Sequence, residues 1–237
     1  MSCDVPVTPE AAPVWLRPLL RELDNDRQAD RMRAILASRV AQRGGQDQAA
    51  VLIAFTGDHH AQSTPENAAV LITHRHPGMR SHSGQMAFPG GRIDPQDAGP
   101  VAAALRETTE ETGLSPDRVI PLAVLAPITT GGSRRRVRPV LAYVHDPGTV
   151  YPASPDETDD VFFVPLSALV NPANRRSLGR AGWTAPAFTV GGYLIWGFTG
   201  IVLSVLLDLG GWARPWDRTP GDLDAALEQS CNGERRM

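Results

Sequence analysis

The stretch Ala104-Leu105-Arg106-Glu107-Thr108-Thr109-Glu110-Glu111-Thr112-Gly113-Leu114 decides how the chain is read. Read as a helix, it places Glu107 next to Glu110 and Glu111, with Cβ atoms about 5–6 Å apart. Three carboxylates on one face repel each other unless water or a cation relieves them. A hard, oxygen-ligated divalent ion such as Mg2+ or Mn2+ suits that set best. Arg106 is four residues before Glu110 and can pair with it, while Leu105 and the alanines supply an apolar side for packing. Pro100 suits the first turn, Asp97 or Gly99 lies near the cap, and Gly113 stands where a left-handed terminator belongs. Taken alone, such a helix is also compatible with a solvated acidic face.

Upstream, Phe88-Pro89-Gly90-Gly91-Arg92 puts two glycines where the backbone must turn sharply or approach another group closely. The loop and helix together resemble the Nudix hydrolase family, whose pattern is Gly-x5-Glu-x7-Arg-Glu-U-x-Glu-Glu-x-Gly-U, with U bulky and apolar. Gly91, Arg106, Glu107, Glu110, Glu111, Gly113 and Leu114 match in order. Two positions depart: Ala98 stands where the first glutamate is due, counting back from Arg106, and Thr108 occupies a U position. Asp97 lies six residues after Gly91, consistent with one extra residue in the connection.

A second segment, Leu71-Ile72-Thr73-His74-Arg75-His76-Pro77-Gly78-Met79-Arg80-Ser81-His82-Ser83-Gly84-Gln85-Met86-Ala87-Phe88-Pro89-Gly90-Gly91, is similar to the signature of the coenzyme A diphosphatase branch of that family. It departs at Ile72 and at His76. Pro155-Asp156-Glu157, Val164-Pro165-Leu166 and Ile195-Trp196-Gly197 are similar to the same branch. The resemblance implies an α/β (α+β) fold, the Nudix α/β/α sandwich with a mixed sheet between helices. It also implies metal-dependent hydrolysis of coenzyme A or its derivatives to 4′-phosphopantetheine and adenosine 3′,5′-bisphosphate. Glu107 and Glu111 are then expected as metal ligands, with Glu110 a ligand or a water-mediated partner and Arg106 in the catalytic group. Glu157 is the distal candidate for general base. Arg75, Arg80, Gly90, Gly91 and Arg134 are the substrate-binding candidates. Arg75 and Arg80 either contact phosphate or pin the loop. The run Arg134-Arg135-Arg136 is either a solvated face or a contact for the 3′-phosphate. His74, His76 and His82 are expected to hydrogen bond within the loop, and Asp156, Glu157, Asp159 and Asp160 to form an acidic loop. Two other readings stay open: hydrolysis of another nucleoside diphosphate derivative such as ADP-ribose or a nucleotide sugar, and a non-catalytic nucleotide-binding module of the same fold.

The 237 residues suffice for a substantial core. All 23 basic residues are arginine, which excludes a lysine Schiff base, a Walker-A loop and a kinase-type ATP lysine. Phosphate binding stays open, because the guanidinium fork matches phosphate oxygens. A net charge of -3 disfavours a strongly basic nucleic-acid binder. Cys3 and Cys231 form no Cys-x-x-Cys pair, so neither a zinc cluster nor a disulfide framework is expected. The acidic, proline-containing start does not read as a secretory signal, so a cytoplasmic setting is expected. The resemblance implies a small-molecule partner, coenzyme A or an acyl-CoA. No nucleic acid or membrane is expected, and the oligomeric state, a homodimer included, is open.

Residues 1–29 read as a flexible lead and helix, 30–209 as the hydrolase domain and 210–237 as a loosely ordered tail. Apolar positions at Trp15, Leu19, Leu20 and Leu23, and at Met32, Ile35, Leu36 and Val40, have helical spacing, and Gly44-Gly45 ends that region. Ala49–Phe55 and Ala68–His74 read as a hairpin pair, 119–128 and 137–145 as strands, 187–196 as two strands around Gly191-Gly192, and 197–208 as a helix. No charge occurs between Arg180 and Asp208. The apolar run 193–207 is nevertheless short of the about 20 residues that a membrane span requires.

Overall fold

The structure is a computed structural model that describes residues 4–24, 48–129, 135–180 and 182–234. The helical pattern at 32–40, Gly44-Gly45, Cys3 and Arg134 lie outside the described residues.

Helix α1 is Arg17–Leu23, preceded by two 3-10 turns at Pro9–Ala11 and Val14–Leu16. Strands β1 (Ala49–Thr56) and β2 (Ala69–Arg75) pair antiparallel through Phe55↔Val70, as the hairpin reading requires. Two short strands, β3 (Met86–Ala87) and β4 (Gly90–Arg92), interrupt the stretch read as irregular, and helix α2 (Pro100–Thr112) follows. The run 119–128 divides into β5 (Val119–Val124) and β6 (Ile128–Thr129), and β7 is Arg136–Val144. Strand β8 (Thr158–Pro165) leads into the short helix α3 (Leu166–Val170). Strands β9 (Arg175–Arg180), β10 (Trp183–Val190) and β11 (Tyr193–Ile195) precede helix α4 (Gly197–Leu209), and β12 (Pro220–Asp222) and helix α5 (Leu223–Glu228) follow it.

Strands β1 to β8 form a mixed sheet: β1 runs parallel to β7 and antiparallel to β2 and β4, while β5 is antiparallel to β7. Strands β9 to β12 form a second sheet in the order β11-β10-β9-β12.

Strand alternation sorts the core into two layers. Ala50, Leu52 and Ala54 of β1, with Val140 and Ala142 of β7, face the Val101, Ala103, Ala104 and Leu105 side of α2. Ile53, Phe55, Leu141 and Tyr143 point the other way, towards Leu19 of α1 and Val202, Val205 and Leu206 of α4. Helices therefore cover both faces of the sheet, as the sandwich expectation has it. The alanines beneath α2 let its backbone lie close to β1, which matters because β1 also pairs with the Gly90–Arg92 strand. The 13-residue α4 is buried, and no helix of the described residues is long and apolar enough to cross a membrane.

Two terminal segments differ from expectation. Instead of a flexible lead, Asp4 crosses to the start of α2, where Gly99 at the cap offers no side chain. Its carboxylate accepts from the Val101 and Ala102 amides, both at 3.0 Å. A negative group there meets two amides that have no partner inside the helix. Likewise the segment 210–234 is built into the fold. It carries β12 and α5, and Asn232 is fully buried, its side chain exchanging hydrogen bonds with the backbone of Leu194 at 2.8 and 2.9 Å. Burying a polar side chain in register with a strand end gives this segment a single seating.

Replacing Asp4 by Ala is expected to cost about 1 kcal/mol of stability. Urea unfolding of the two proteins measures the difference, and an unchanged midpoint would remove Asp4 as the cap of α2.

Candidate functional site

Helix α2 begins after the glycine strand and ends at Gly113, whose φ of 68° is the left-handed terminator expected from sequence. Along it, Thr108 is buried and donates its hydroxyl to the Ala104 carbonyl at 2.7 Å. With its polar atom satisfied inside the helix, threonine fills a position expected to be apolar, and that departure costs the helix little.

Arg106 organises the polar side. Its Nε and Nη2 donate to the two carboxylate oxygens of Asp97 at 3.0 and 2.9 Å, and Nη2 also donates to the Arg92 carbonyl at 3.1 Å. Its Nη1 donates to Glu107 at 3.1 Å and to Glu110 at 3.0 Å. One guanidinium thus ties the connecting loop to two of the three helix carboxylates. The Arg106 hydrogen bonds hold the Asp97 carboxyl below its ordinary pKa of 3.8. Asp97, the acid one position before Ala98, is thus the one that meets Arg106.

The three helix carboxylates differ in environment. Glu110 is exposed, Glu107 is half-buried, and Glu111 is buried. Burial raises Glu107, and the Arg106 charge opposes that rise. Burial pushes Glu111 up to about 7, against the Gly90 amide, which donates to it at 3.1 Å, and against the charge of Arg75, whose Nη1 lies 3.7 Å away. Glu157 sits close enough to raise both Glu107 and Glu111 electrostatically. A cation is the direct remedy for that mutual repulsion, and the all-oxygen donor set fits Mg2+ or Mn2+. Among the described residues no three acidic, histidine or cysteine side chains are already closed around one point.

The two glycines have separate duties. Gly90 has φ of 152°, and a Cβ there would lie 2.3 Å from the Ala50 carbonyl oxygen and 2.6 Å from the Val51 Cα. Gly91 faces the site instead, and a Cβ would fall 2.4 Å from the Glu107 carboxylate.

The segment from β2 to β4 brings Arg75 to Glu111, and Arg75 Nη2 also meets the Met79 sulfur at 3.1 Å. Arg75 thus contacts both its own loop and the carboxylate helix. Arg80 is exposed on the same loop. His74 sits in β2, buried, with Nδ1 2.5 Å from an Asp159 oxygen and Nε2 3.0 Å from the Asn232 carbonyl. His82 meets Gln85 at 3.0 Å, and the His76 ring accepts from the Gly78 amide at 2.9 Å. The acidic segment is only partly a loop: Asp159 and Asp160 lie in β8, where Asp160 accepts from the Tyr193 hydroxyl at 3.1 Å. Arg135 is exposed and Arg136 opens β7.

Sequence reasoning missed the C-terminal support of this loop. Gly84 has φ of 70°, and a Cβ there would lie 2.4 Å from the Asn232 carbonyl oxygen and 2.8 Å from the Glu234 amide. The required glycine in the signature was the available signal: something had to press against it, although nothing in the sequence says what.

The NUDIX domain family is matched over residues 47–184, more than half of the chain. The chain is 35% identical over 153 residues to "Probable nudix hydrolase C6G9.05" of Schizosaccharomyces pombe, covering 62% of this chain and 52% of that protein. It therefore spans about half the length of that relative. It is 37% identical over 156 residues to an uncharacterised Nudix hydrolase, NudL, of Klebsiella pneumoniae strain 342, covering 62% of this chain and 77% of the other. Among solved structures, a Nudix hydrolase from M. smegmatis, RenU, aligns with a TM-score of 0.47 at 21% identity, over 75% of this chain and 94% of that one.

Gly91→Ala should fold, because the atom it meets ends a flexible side chain, yet it should displace Glu107 and weaken Mn2+ binding by about tenfold or more. Gly90→Ala meets backbone and should instead lower the thermal midpoint. Calorimetric Mn2+ titration and thermal melts of both variants check the contrast, and a Gly91→Ala protein with full Mn2+ affinity would contradict it.

Proposed function

The chain belongs to the Nudix hydrolase family, and on that premise we propose that it hydrolyses the pyrophosphate bond of coenzyme A or its thioesters. The observation that supports this reading is the contact between the two motifs. Arg75, from the segment similar to the coenzyme A branch, lies 3.7 Å from Glu111 of the carboxylate helix. One residue of that segment, Arg75, thus reaches a carboxylate that would carry the chemistry, and this contact supports the reading.

In this reading Glu107, Glu110 and Glu111 hold the divalent ion, Mg2+ or Mn2+. When bound, it supplies positive charge at the diphosphate oxygens, which in water are protected by their own negative charge. The chain's own residues do the rest. Asp97 fixes Arg106, and Arg106 fixes the rotamers of Glu107 and Glu110, so Arg106 is a positioning residue. Arg75 and the Gly90 amide together hold Glu111. The exposed Glu157 carboxylate accepts the proton of the water that adds to phosphorus as the P–O anhydride bond breaks. Arg80, exposed on the loop between β2 and β3, is the candidate to meet a phosphate oxygen. Gly91 leaves room for the Glu107 carboxylate, while Gly90 lets its strand lie close against β1. Arg134 remains a 3′-phosphate candidate by sequence alone. The cytoplasmic setting expected from the sequence belongs to the same reading.

The test is incubation of the chain with Mg2+ or Mn2+ and a panel of coenzyme A, ADP-ribose, a nucleotide sugar and a diadenosine polyphosphate, followed by chromatography. Coenzyme A is expected to give 4′-phosphopantetheine and adenosine 3′,5′-bisphosphate with the highest kcat/KM. Preference for another member of the panel would overturn the substrate and keep the reaction class. Turnover of none, in a folded protein that binds Mn2+, would favour a binding module.

Glu157→Gln is expected to lower kcat by about 100-fold with KM little changed, as for loss of a general base. Steady-state kinetics on coenzyme A measure it. An unaltered kcat would remove Glu157 from the mechanism.

A further inference from the structure

The loop between β2 and β3 carries Arg80, and two residues further on it contains a strained position. His82 has φ of 56°, and among the described residues it is the one non-glycine residue with a left-handed backbone. There the Cβ crowds the following carbonyl oxygen, so the conformer persists only where its surroundings hold it. Gln85 does the holding. Its Oε1 lies 3.0 Å from His82 Nδ1, and its backbone amide donates to the His82 carbonyl at 3.2 Å.

Gln85 is in turn held from outside the loop. Its side chain hydrogen bonds to the Glu234 carboxylate. A carboxylate only accepts, so the Gln85 NH2 group faces Glu234 and the Gln85 oxygen is left for His82. Trp196 Nε1 and Asn232 Nδ2 both donate to Glu234 Oε1, at 2.6 and 2.9 Å, which leaves Oε2 for Gln85. Burial raises the Glu234 pKa, and these hydrogen bonds oppose the rise. A carboxylate drawn out of water is tolerated where donors converge on it, and here three do. Trp196 follows β11, and Asn232 is paired with Leu194 of that strand, so Glu234 is anchored to the second sheet. At its other end the loop ties to the candidate base, since the His76 amide donates to the Glu157 carbonyl at 2.8 Å.

We propose that Glu234 is a positioning residue: by fixing the Gln85 amide and the left-handed turn at His82, it aims Arg80 at the phosphate oxygens of the substrate and so sets substrate affinity. It takes no part in breaking the anhydride bond. The proposal rests on the hydrolase reading above, in which Arg80 meets a phosphate oxygen.

The test is steady-state kinetics on coenzyme A with Mg2+, comparing Glu234→Ala, Gln85→Met, Arg80→Ala and their double variants. Glu234→Ala and Gln85→Met are each expected to raise KM about tenfold, as for one weakened charge-assisted contact, with kcat within about twofold. Combined, they should do no more than either alone, and Glu234→Ala should add little to Arg80→Ala, because residues acting through one another are not additive. Gln85→Met keeps side-chain length and leaves Glu234 on Trp196 and Asn232, so it carries the test if Glu234→Ala unfolds. Hydrogen exchange of the 76–84 amides should quicken in both single variants. Unchanged KM in both, a full further rise of KM in the Arg80→Ala background, or unchanged exchange overturns the positioning role. If the chain prefers another diphosphate of the panel, the coenzyme A reading fails and Glu234 is judged by KM on that substrate. If it turns over none, the calorimetric Kd for coenzyme A takes the place of KM.

Discussion

The Asp97–Arg106 pair is the contact on which the site depends. A guanidinium can satisfy several acceptors in one plane, and Arg106 uses that capacity to join a loop, a strand carbonyl and two helix carboxylates. A lysine would offer a mobile point charge and could not hold both Asp97 oxygens and both glutamates in fixed directions. The lysine-free composition thus does no harm where geometry matters most. With Arg106 in place, Glu107 and Glu110 are held in rotamers that keep their repulsion tolerable, and Glu111 is left to the Gly90 amide and Arg75.

Around that pair the fold works by proximity. Alanines in β1, β7 and α2 allow the helix to sit low on the sheet, and β4, pairing with β1, presents its glycines to the helix side chains. A larger residue at Ala50 or Ala54 would lift α2 from the sheet and separate Glu111 from Gly90. Core packing and site geometry are in this sense one constraint: close approach of a helix to a sheet is what buries Glu111 and raises its pKa.

Much of this was legible in the residues, for reasons that can be named. The helix from Pro100 to Gly113 is written by local signals, a proline at its start and a left-handed glycine at its end. The pairing of β1 with β2 follows from two β-branched runs separated by a polar segment. The Asp97–Arg106 contact was within reach, because the count from Gly91 places an acid at 97. Contacts distant in sequence were not legible. Asp4 caps a helix that starts 96 residues later, and no periodicity announces it. The tail looked loose because its composition is polar and rich in glycine, yet one buried asparagine that pairs like a strand is enough to seat it. Asp159 and Asp160 read as loop by charge, but β8 extends through them because His74 and Tyr193 take up their carboxylates.

The seating of Asn232 bears on the order in which the molecule can be completed during synthesis. The loop between β2 and β3 rests on this residue through the His74 ring and the space left at Gly84. A ribosome delivers residue 232 after every other residue of the site. The helix, the sheet and the Arg106 network can form while the chain is still emerging, but the loop that carries Arg75 and Arg80 lacks its support until residues 231–234 are free. A half-made chain would therefore hold its carboxylates in place before its signature loop is braced.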